Sequence, residues 1–405
     1  MLPGQPINLS LKANSNKASS QPMPRLIFTV TNDLSYDQRM IRICGSLAEN
    51  GHAVLLIGRK LKDSIALKEQ SFRQKRLNCF FTKGKAFYAE YNIRLFFFLL
   101  FTKMDLVCAI DLDTILPCYF VSKLRNKKRV YDAHELFCEM KEIITRPAVY
   151  KMWKRIERYT VPGFKNGYTV NQVIADEFKK MYGVDYEVIR SIAVLKPLTI
   201  PVKDEKYILY QGAVNEGRSF ETLIPAMKSV NARLIICGDG NFMEQCKLLV
   251  QQHGLETKVI FKGKLQPDQL RAITLSAYIG VTLFENNGIS NYYSLANRFF
   301  DYLQAGIPQL CVDYPVYREI NNLYHIAVLT EDISASNLAK QLNGLLEDES
   351  IYQQLQQNCL KAREVLCWQN EEKRLLEFYR RIAPTPPSRN NRDVPKGELF
   401  EDSKL

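Results

Sequence analysis

Residues 294–308 combine residue types suited to binding a phosphorylated ligand at the start of a helix. Ser294 is a good N-cap, Gly306 suits the position after the last turn, and the proline two residues further prevents continuation. A helix N-terminus presents free amides to an anion, and Arg298 in the predicted first turn can bind a diphosphate. Asp301 follows on the same face, where its carboxylate could accept two ribose hydroxyls. The alternative is a capped amphipathic helix with a surface ion pair.

Glycine-containing turns follow two predicted strands in the second half of the chain. Gly212 opens a loop that ends at Arg218, and Gly238 lies in a Gly-Asp-Gly turn. Any tight strand-to-helix turn favours glycine, so this pattern is weak evidence for a ligand site. Lys264, next to another glycine, is a weaker candidate for an anion contact because most lysines are simply solvated.

Polar side chains also follow three predicted strands in the first half of the chain. Asn32, Asp33 and Asp37 come after the first strand, where they could face a ligand or simply cap the next helix. Asp111 follows another strand, and we expect it to be a cleft or capping residue. His134 lies beside acidic residues where a strand closes. A lone histidine is more often structural, but this position favours a role in a site.

The elements that must position these residues alternate between short apolar strands and helices. Predicted strands cover residues 25–30, 53–57, 106–110, 128–131, 207–210, 233–237, 259–261, 278–283 and 309–312. This alternation predicts an α/β fold with two Rossmann-like doubly wound domains facing a central cleft. The predicted organisation is a disordered tail over 1–23, one domain over 24–190, a second over 191–370, a helix over 371–382 that packs back on the first domain, and a disordered tail over 383–405.

Composition narrows the compartment and the partners. The formal net charge of +12 fits nucleic acid, an anionic membrane, phosphorylated small molecules or a merely solvated surface. Aromatic and basic residues are not interleaved as in nucleic-acid proteins, so we expect no nucleic acid. Ten cysteines without a C-x-x-C pair predict buried free thiols in a reducing cytoplasm, and the first residues do not resemble a secretory signal.

The longest apolar run, residues 95–101, is rich in phenylalanine. It is too short to cross a bilayer, which takes about 20 residues. It therefore predicts either a buried helix or a helix face that touches a membrane or a lipid-linked substrate.

Two segments of the second half resemble GT-B glycosyltransferases of family four. The family pattern is Glu-x-x-Gly followed by a helix ending in Ala-x-Gly-x-Pro, and this chain reads Asp-Tyr-Leu-Gln-Ala-Gly-Ile-Pro from Asp301. The resemblance implies that Asp301 replaces a glutamate that binds the nucleotide ribose. Glu285, with Asn286 and Gly288, matches the first half if the loop is longer here, and implies contact with the donor sugar. The usual spacing would place Tyr293 at that position.

The same resemblance implies roles for the other candidates. Donor binding is implied for Gly212, Arg218, Gly238, Lys264, Ser294, Asn297 and Arg298. His134 would reach the donor sugar near the reacting carbon, while Asn32, Asp33 and Asp37 would line the acceptor cleft, where we also place Asp111 as a cleft or capping residue. Asp111 and Asp113 imitate the metal motif of the other glycosyltransferase fold, which has one domain. No metal or other cofactor is expected, because the helix end and Arg298 would replace the cation.

The function implied is transfer of a sugar, with retention, from a nucleotide-diphosphate donor to a hydroxyl of a glycan or lipid-linked acceptor. This activity would fit polysaccharide or glycolipid assembly in the cytoplasm. The protein would make peripheral contact with the inner face of an anionic membrane. Two alternatives remain open. A nucleotide-sugar epimerase would need a placed acid and base. A non-catalytic nucleotide-sugar-binding protein would fit Tyr293 and the missing glycine-rich loop of the first half.

Overall fold

The computed structural model describes residues 23–201 and 205–385, and these form two sheets in which all strands are parallel. Nearly all of the two predicted disordered tails lies outside the described residues. The first sheet has the order β3-β2-β1-β4-β5-β6-β7. Its strands are β1 (Arg25–Thr29), β2 (Ala53–Arg59), β3 (Arg73–Leu77), β4 (Leu106–Ile110), β5 (Lys128–Ala133), β6 (Asn166–Thr169) and β7 (Glu187–Val188).

The second sheet repeats this arrangement with the order β10-β9-β8-β11-β12-β13. Its strands are β8 (Tyr207–Gln211), β9 (Arg233–Cys237), β10 (Val259–Gly263), β11 (Ile279–Thr282), β12 (Gln309–Val312) and β13 (Ala327–Thr330). The predicted α/β class with two Rossmann-like domains is confirmed. In each sheet the strand order reverses at the first strand, and ligands of such folds bind beyond the carboxyl ends of the strands at that point.

Helices cover both faces of the sheets. In the first half they are α1 (Gln38–Glu49), α2 (Gly84–Phe101), α3 (Ile115–Leu124), α4 (Lys141–Ile144), α5 (Pro147–Thr160) and α6 (Gln172–Tyr182). In the second half they are α7 (Phe220–Ala226), α8 (Met243–His253), α9 (Pro267–Ser276), α10 (Ile289–Tyr292), α11 (Asn297–Gln304), α12 (Pro315–Tyr324), α13 (Ala335–Glu347), α14 (Glu349–Val365) and α15 (Trp368–Ile382).

The central strands are continuous apolar runs because helices bury both of their faces. Every residue of β4 is buried, as is every residue of β12. The core of the first sheet divides in two: α2, α3 and α5 cover one face, while α1 and α15 cover the other. The polar residues that follow these strands are therefore the ones left to face the cleft.

The last helix returns to the first domain. Trp368 donates from Nε1 to Ser46 Oγ at 3.0 Å, and the hydroxyls of Tyr379 and Tyr168 lie 3.3 Å apart. His52 Nε2 lies 3.0 Å from the carbonyl oxygen of Ala383. This buried packing ties α15 to the first domain.

All ten cysteines are unpaired, and nine of them are buried. Among the described residues, no helix has both the length and the apolar content needed to cross a membrane.

Candidate active site

His134 lies just beyond β5, between two carboxylates. Its Nδ1 is 3.2 Å from Asp111 Oδ2, and its Nε2 is 3.3 Å from Asp132 Oδ2, although that second contact lacks hydrogen-bond alignment. The His134 amide also donates to Asp111 Oδ1 at 3.1 Å. Burial alone would lower the pKa of His134, but Asp111 and Asp132 raise it to about 10. The two carboxylates therefore favour the imidazolium form at neutral pH, which disfavours a role as general base.

A buried arginine completes this cluster. Arg39 donates from Nη2 to Asp132 Oδ1 at 2.8 Å and from Nη1 to the carbonyl of Ile189 at 3.3 Å. Burial would raise the pKa of Asp132, but Arg39 and His134 hold it below its usual range. Sequence reasoning assigned no role to Arg39 or Asp132, because their pairing joins α1 to β5 across the fold.

Two further carboxyls beside His134 titrate near neutrality. Burial and the nearby Asp111 raise the pKa of Asp113 to about 7, and Asp113 accepts a hydrogen bond from Thr31 Oγ1. Burial and Asp111 also raise the pKa of Glu135 to about 7, against the opposing charge of Arg218 on the other domain. Among the described residues, no group of histidine, cysteine and carboxylate side chains is arranged to hold a metal ion.

The three polar residues after β1 are engaged in local structure. Asp33 caps the short 3-10 helix Leu34–Tyr36 and binds Arg76 Nη2 at 2.7 Å, while Asp37 caps α1 by accepting from the Met40 amide at 3.0 Å. Asn32 donates to Asp37 at 3.3 Å. Asp33 and Asp37 thus cap helices, as the alternative interpretation predicted. Their contact with an acceptor stays a prediction.

In the second domain two guanidinium groups lie against one aromatic ring. The Arg218 and Arg298 guanidinium carbons are 4.5 and 4.6 Å from the centre of the Phe284 ring, and Arg298 is also 4.8 Å from that of Tyr210. Arg298 is only 7% exposed, and its Nε has no hydrogen-bond partner. Neither arginine forms an ion pair among the described residues. Burial, then Arg298, lowers the pKa of Arg218, so two positive charges lie close together here without an ion-paired carboxylate among the described residues.

Glycine backbone allows the loops around these arginines to approach closely. A Cβ on Gly212 would lie 3.5 Å from Arg298 Nη1, which places this loop at the guanidinium. Gly238 has a φ of 148°, and a Cβ there would lie 1.8 Å from the Gly212 carbonyl oxygen. Only glycine permits that contact, so the two turns predicted from sequence form one surface at the ends of β8 and β9.

A chain of amide side chains connects Glu285 to Arg218. Asn287 donates from Nδ2 to Glu285 Oε2 at 2.6 Å, Asn291 donates to Asn287 Oδ1 at 2.8 Å, and Arg218 donates to Asn291 Oδ1 at 3.0 Å. Asn286 is exposed beside this chain. Sequence reasoning missed Asn287 and Asn291, although their i, i+4 spacing was a signal.

Asp301 lies one turn into α11 and makes no ion pair with Arg298 among the described residues. It accepts from Gln211 Nε2 at 2.8 Å, and burial raises its pKa to about 6 despite the charge of Arg42 in the first domain. The surface ion pair of the alternative interpretation, a capped amphipathic helix, is therefore not formed. The contact between Asp301 and the ribose stays a prediction.

The predicted helix start at Ser294 is wrong. The helix begins at Asn297 with Ala296 as N-cap, and Ser294 Oγ donates instead to the carbonyl of Asn291 at 2.8 Å. The preceding turn uses the serine hydroxyl, and Tyr317 accepts from the Ala296 amide at 3.0 Å. Asn297 is exposed at the helix start. The predicted end is right, because Gly306 has a φ of 67° just after the C-cap.

The two domains contact each other around the cleft. Lys141 Nζ of α4 lies 2.8 Å from Glu216 and 3.7 Å from Glu285, and Gly288 approaches the first domain closely as well. Lys264, predicted as a weak phosphate ligand, is exposed and lies 3.6 Å from the centre of the Tyr36 ring. The His134 cluster and the arginine pair are thus brought to facing sides of one cleft.

Comparisons with known proteins show a family match over part of the chain. Residues 198–362 match the family model described as glycosyl transferases group 1. An uncharacterized glycosyltransferase of Methanocaldococcus jannaschii is 26% identical over 184 residues, which are 44% of this chain and 45% of that protein. The match thus spans under half of that relative.

Solved structures show the same fold over nearly the whole chain. Sucrose-phosphate synthase from Thermosynechococcus elongatus superposes with a TM-score of 0.73 at 16% identity, covering 89% of this chain and 99% of that one. HepE of Anabaena, solved with UDP-glucose, gives 0.68 at 12% identity over 87% and 98%. The similarity to group 1 glycosyl transferases thus covers residues 198–362, and the chain as a whole has the GT-B fold.

Proposed function

We propose that this chain transfers a sugar from a nucleoside-diphosphate donor to an acceptor hydroxyl with retained configuration. The observation that carries the proposal is the pair of arginines, Arg218 and Arg298, held against Phe284 without a carboxylate partner among the described residues. The group 1 match of the second domain supports it. A diphosphate supplies the negative charge and the paired oxygens that two guanidinium groups bind best.

The same pair would also lower the reaction barrier. Negative charge grows on the diphosphate as the bond to the sugar breaks, and fixed cations in a partly dry cleft stabilise that change. The network from Glu285 through Asn287 and Asn291 holds Arg218 before any ligand arrives. Preorganisation of this kind avoids the cost of reorienting the groups during the reaction.

On the facing side, His134 would act as a fixed positive charge near the donor sugar. Its raised pKa leaves it unable to accept the acceptor proton at neutral pH. In the proposed mechanism an oxygen of the departing diphosphate takes that proton, so no side-chain nucleophile and no cofactor are required. Glu285 and Asp301 would bind the donor sugar and the ribose, respectively.

HepE was solved with UDP-glucose, and we extend a donor of that class to this chain as part of the proposal. The proposed acceptor is a glycan or a lipid-linked sugar in polysaccharide assembly. The proposed location is the cytoplasm, at the inner face of the membrane.

The first experiment measures nucleotide binding by calorimetry with UDP, GDP and ADP. Arg298→Ala should weaken the preferred nucleotide on the order of 100-fold, because a charged hydrogen-bond partner of the diphosphate is lost. Arg233→Ala is the matched control, since Arg233 is half exposed and pairs with Glu205 at the far end of β9. Arg298→Lys, which keeps the charge, should bind at an intermediate level if both variants melt like the wild type. Equal binding by Arg298→Ala and the wild type would contradict the phosphate role.

The second experiment separates transfer from its alternatives. The chain is incubated with nucleotide sugars and a panel of glycan and lipid-linked acceptors, and the products and anomeric configuration are analysed. Transfer with retention is expected. An epimerised sugar nucleotide formed without acceptor would identify an epimerase, and tight binding without any turnover would identify a binding protein.

A further inference from the structure

Three neighbouring helices of the first domain expose large apolar side chains. Helix α2 packs beside α3, and α3 packs beside α5. The exposed apolar members, each between 43% and 69% exposed, are Ile93, Phe97, Phe101, Phe120, Leu124 and Tyr159. Spacing of four residues places those of α2 on one stripe and those of α3 on another. The Phe120 and Tyr159 rings are 6.3 Å apart, so the surface continues onto α5.

The phenylalanine-rich run contributes to this surface with only part of its residues. Leu95 and Leu99 are buried in the core, whereas Phe97 and Phe101 point to solvent at 51% and 59% exposure. The helix is thus apolar on both sides. A helix that only supports the core would carry polar residues on its outer side.

Unpaired cations accompany the apolar side chains. Lys123 of α3 and Lys151, Arg155 and Arg158 of α5 are exposed and form no ion pair with any described carboxylate. Together with the six exposed apolar residues, these four cations form one surface, which we call the basic aromatic face.

Carboxylates are almost absent from the same helices. Glu90 and Glu157 are the only acidic residues within α2, α3 and α5. Glu90 pairs with Arg94 and is 12% exposed, while Glu157 pairs with Lys154 and is 1% exposed. The basic aromatic face therefore presents positive charge and apolar surface without compensating negative charge.

We propose that the basic aromatic face docks on the surface of an anionic lipid bilayer. Aromatic and aliphatic side chains insert at the boundary between headgroups and acyl chains, and lysine and arginine bind the anionic headgroups. Two copies of this chain meeting through this face would bring like charges together without carboxylates to offset them. Docking uses a surface distinct from the arginine pair and does not depend on the transfer activity.

The test is flotation of the full chain with lipid vesicles. Vesicles of phosphatidylcholine alone are compared with vesicles that contain about 30% phosphatidylglycerol, at low and high salt. The chain should float with the anionic vesicles, and added salt should release it. Arg155→Glu combined with Arg158→Glu should weaken partitioning by roughly 30-fold or more.

The matched control reverses the same number of charges elsewhere. Lys340→Glu combined with Lys361→Glu changes two exposed lysines on α13 and α14 of the second domain, and it should float like the wild type. Phe97→Ser combined with Phe120→Ser should also lose partitioning while keeping the melting temperature and the nucleotide affinity. The proposal is overturned if the wild type ignores anionic vesicles, or if the two charge-reversed variants lose binding equally. It is also overturned if the wild type sediments as a dimer that the Phe97 and Phe120 changes dissociate.

Discussion

The two sides of the cleft differ in whether their buried cations have carboxylate partners. On the first domain, His134 and Arg39 are surrounded by Asp111 and Asp132, so each cation has a carboxylate within about a hydrogen-bond length. On the second domain, Arg218 and Arg298 share an aromatic ring and have no carboxylate partner among the described residues. The first arrangement is complete without a ligand. The second has no directly paired carboxylate among the described residues, as expected of a site for a diphosphate.

Removing one charge from the completed cluster should have the largest effect on stability. Asp132→Asn leaves buried Arg39 without its counter-ion and should lower the free energy of unfolding by about 3–5 kcal/mol. Chemical denaturation of the wild type and the variant measures the difference. Asp105→Asn is the control, because Asp105 pairs with Arg25 near the surface at 39% exposure and should change stability much less. An equal loss of unfolding free energy in both variants would show that the buried ion pair contributes no more to stability than the surface pair.

The second prediction concerns the pH dependence of His134. Its pKa is raised above the usual value of 6.5, so its stabilising contribution is complete below that value and is lost as pH rises through about 10. His134→Gln should therefore cost roughly 1–3 kcal/mol at pH 6 and much less near pH 10. Unfolding curves at several pH values test this. A cost independent of pH would mean that the charge of the imidazole does not contribute.

The smallest change in stability is expected for the arginine pair of the second domain. The test is whether the free energy of unfolding rises or falls. Arg218→Met removes one of two like charges, so the free protein should be unchanged or more stable by up to about 1 kcal/mol. The same substitution at paired Arg39 should be strongly destabilising. Thermal melts with and without nucleotide measure both, and only Arg218→Met should lose the nucleotide-induced rise in melting temperature. Destabilisation by Arg218→Met in the free protein would break the contrast between the two sides.

Local sequence patterns predicted nine of the thirteen strands in the described residues, but missed β3, β6, β7 and β13 and placed the start of α11 wrongly. The runs over Leu106–Ile110, Arg233–Cys237 and Gln309–Val312 became strands with those bounds, because strands covered on both faces are mostly apolar. Ser294 has the composition of an N-cap, but tertiary contacts moved the helix start to Asn297. Helix ends depend on where the competing hydrogen-bond partners lie, and here Tyr317 is one of them.

For the candidate site, the sequence predicted which residues lie at the ends of strands and helices. It did not predict which side chains form ion pairs with each other. Arg298, Gly212 and His134 were found because each lies at or near an end of a strand or helix. Arg39 and Lys141 were missed because their partners lie on distant elements.

The sequence alone therefore determined the alternation of apolar strands and helices, the two-domain α/β class and the glycine turns that let backbone approach closely. These features depend on interactions among residues near in the chain. The tertiary structure decided which charges have a carboxylate partner and which do not. It buried Asp132 beside His134, aligned Arg218 and Arg298 on Phe284, and split the phenylalanine run between core and surface. Charge pairing and burial are set by distances between elements, and such distances exist only in the folded chain.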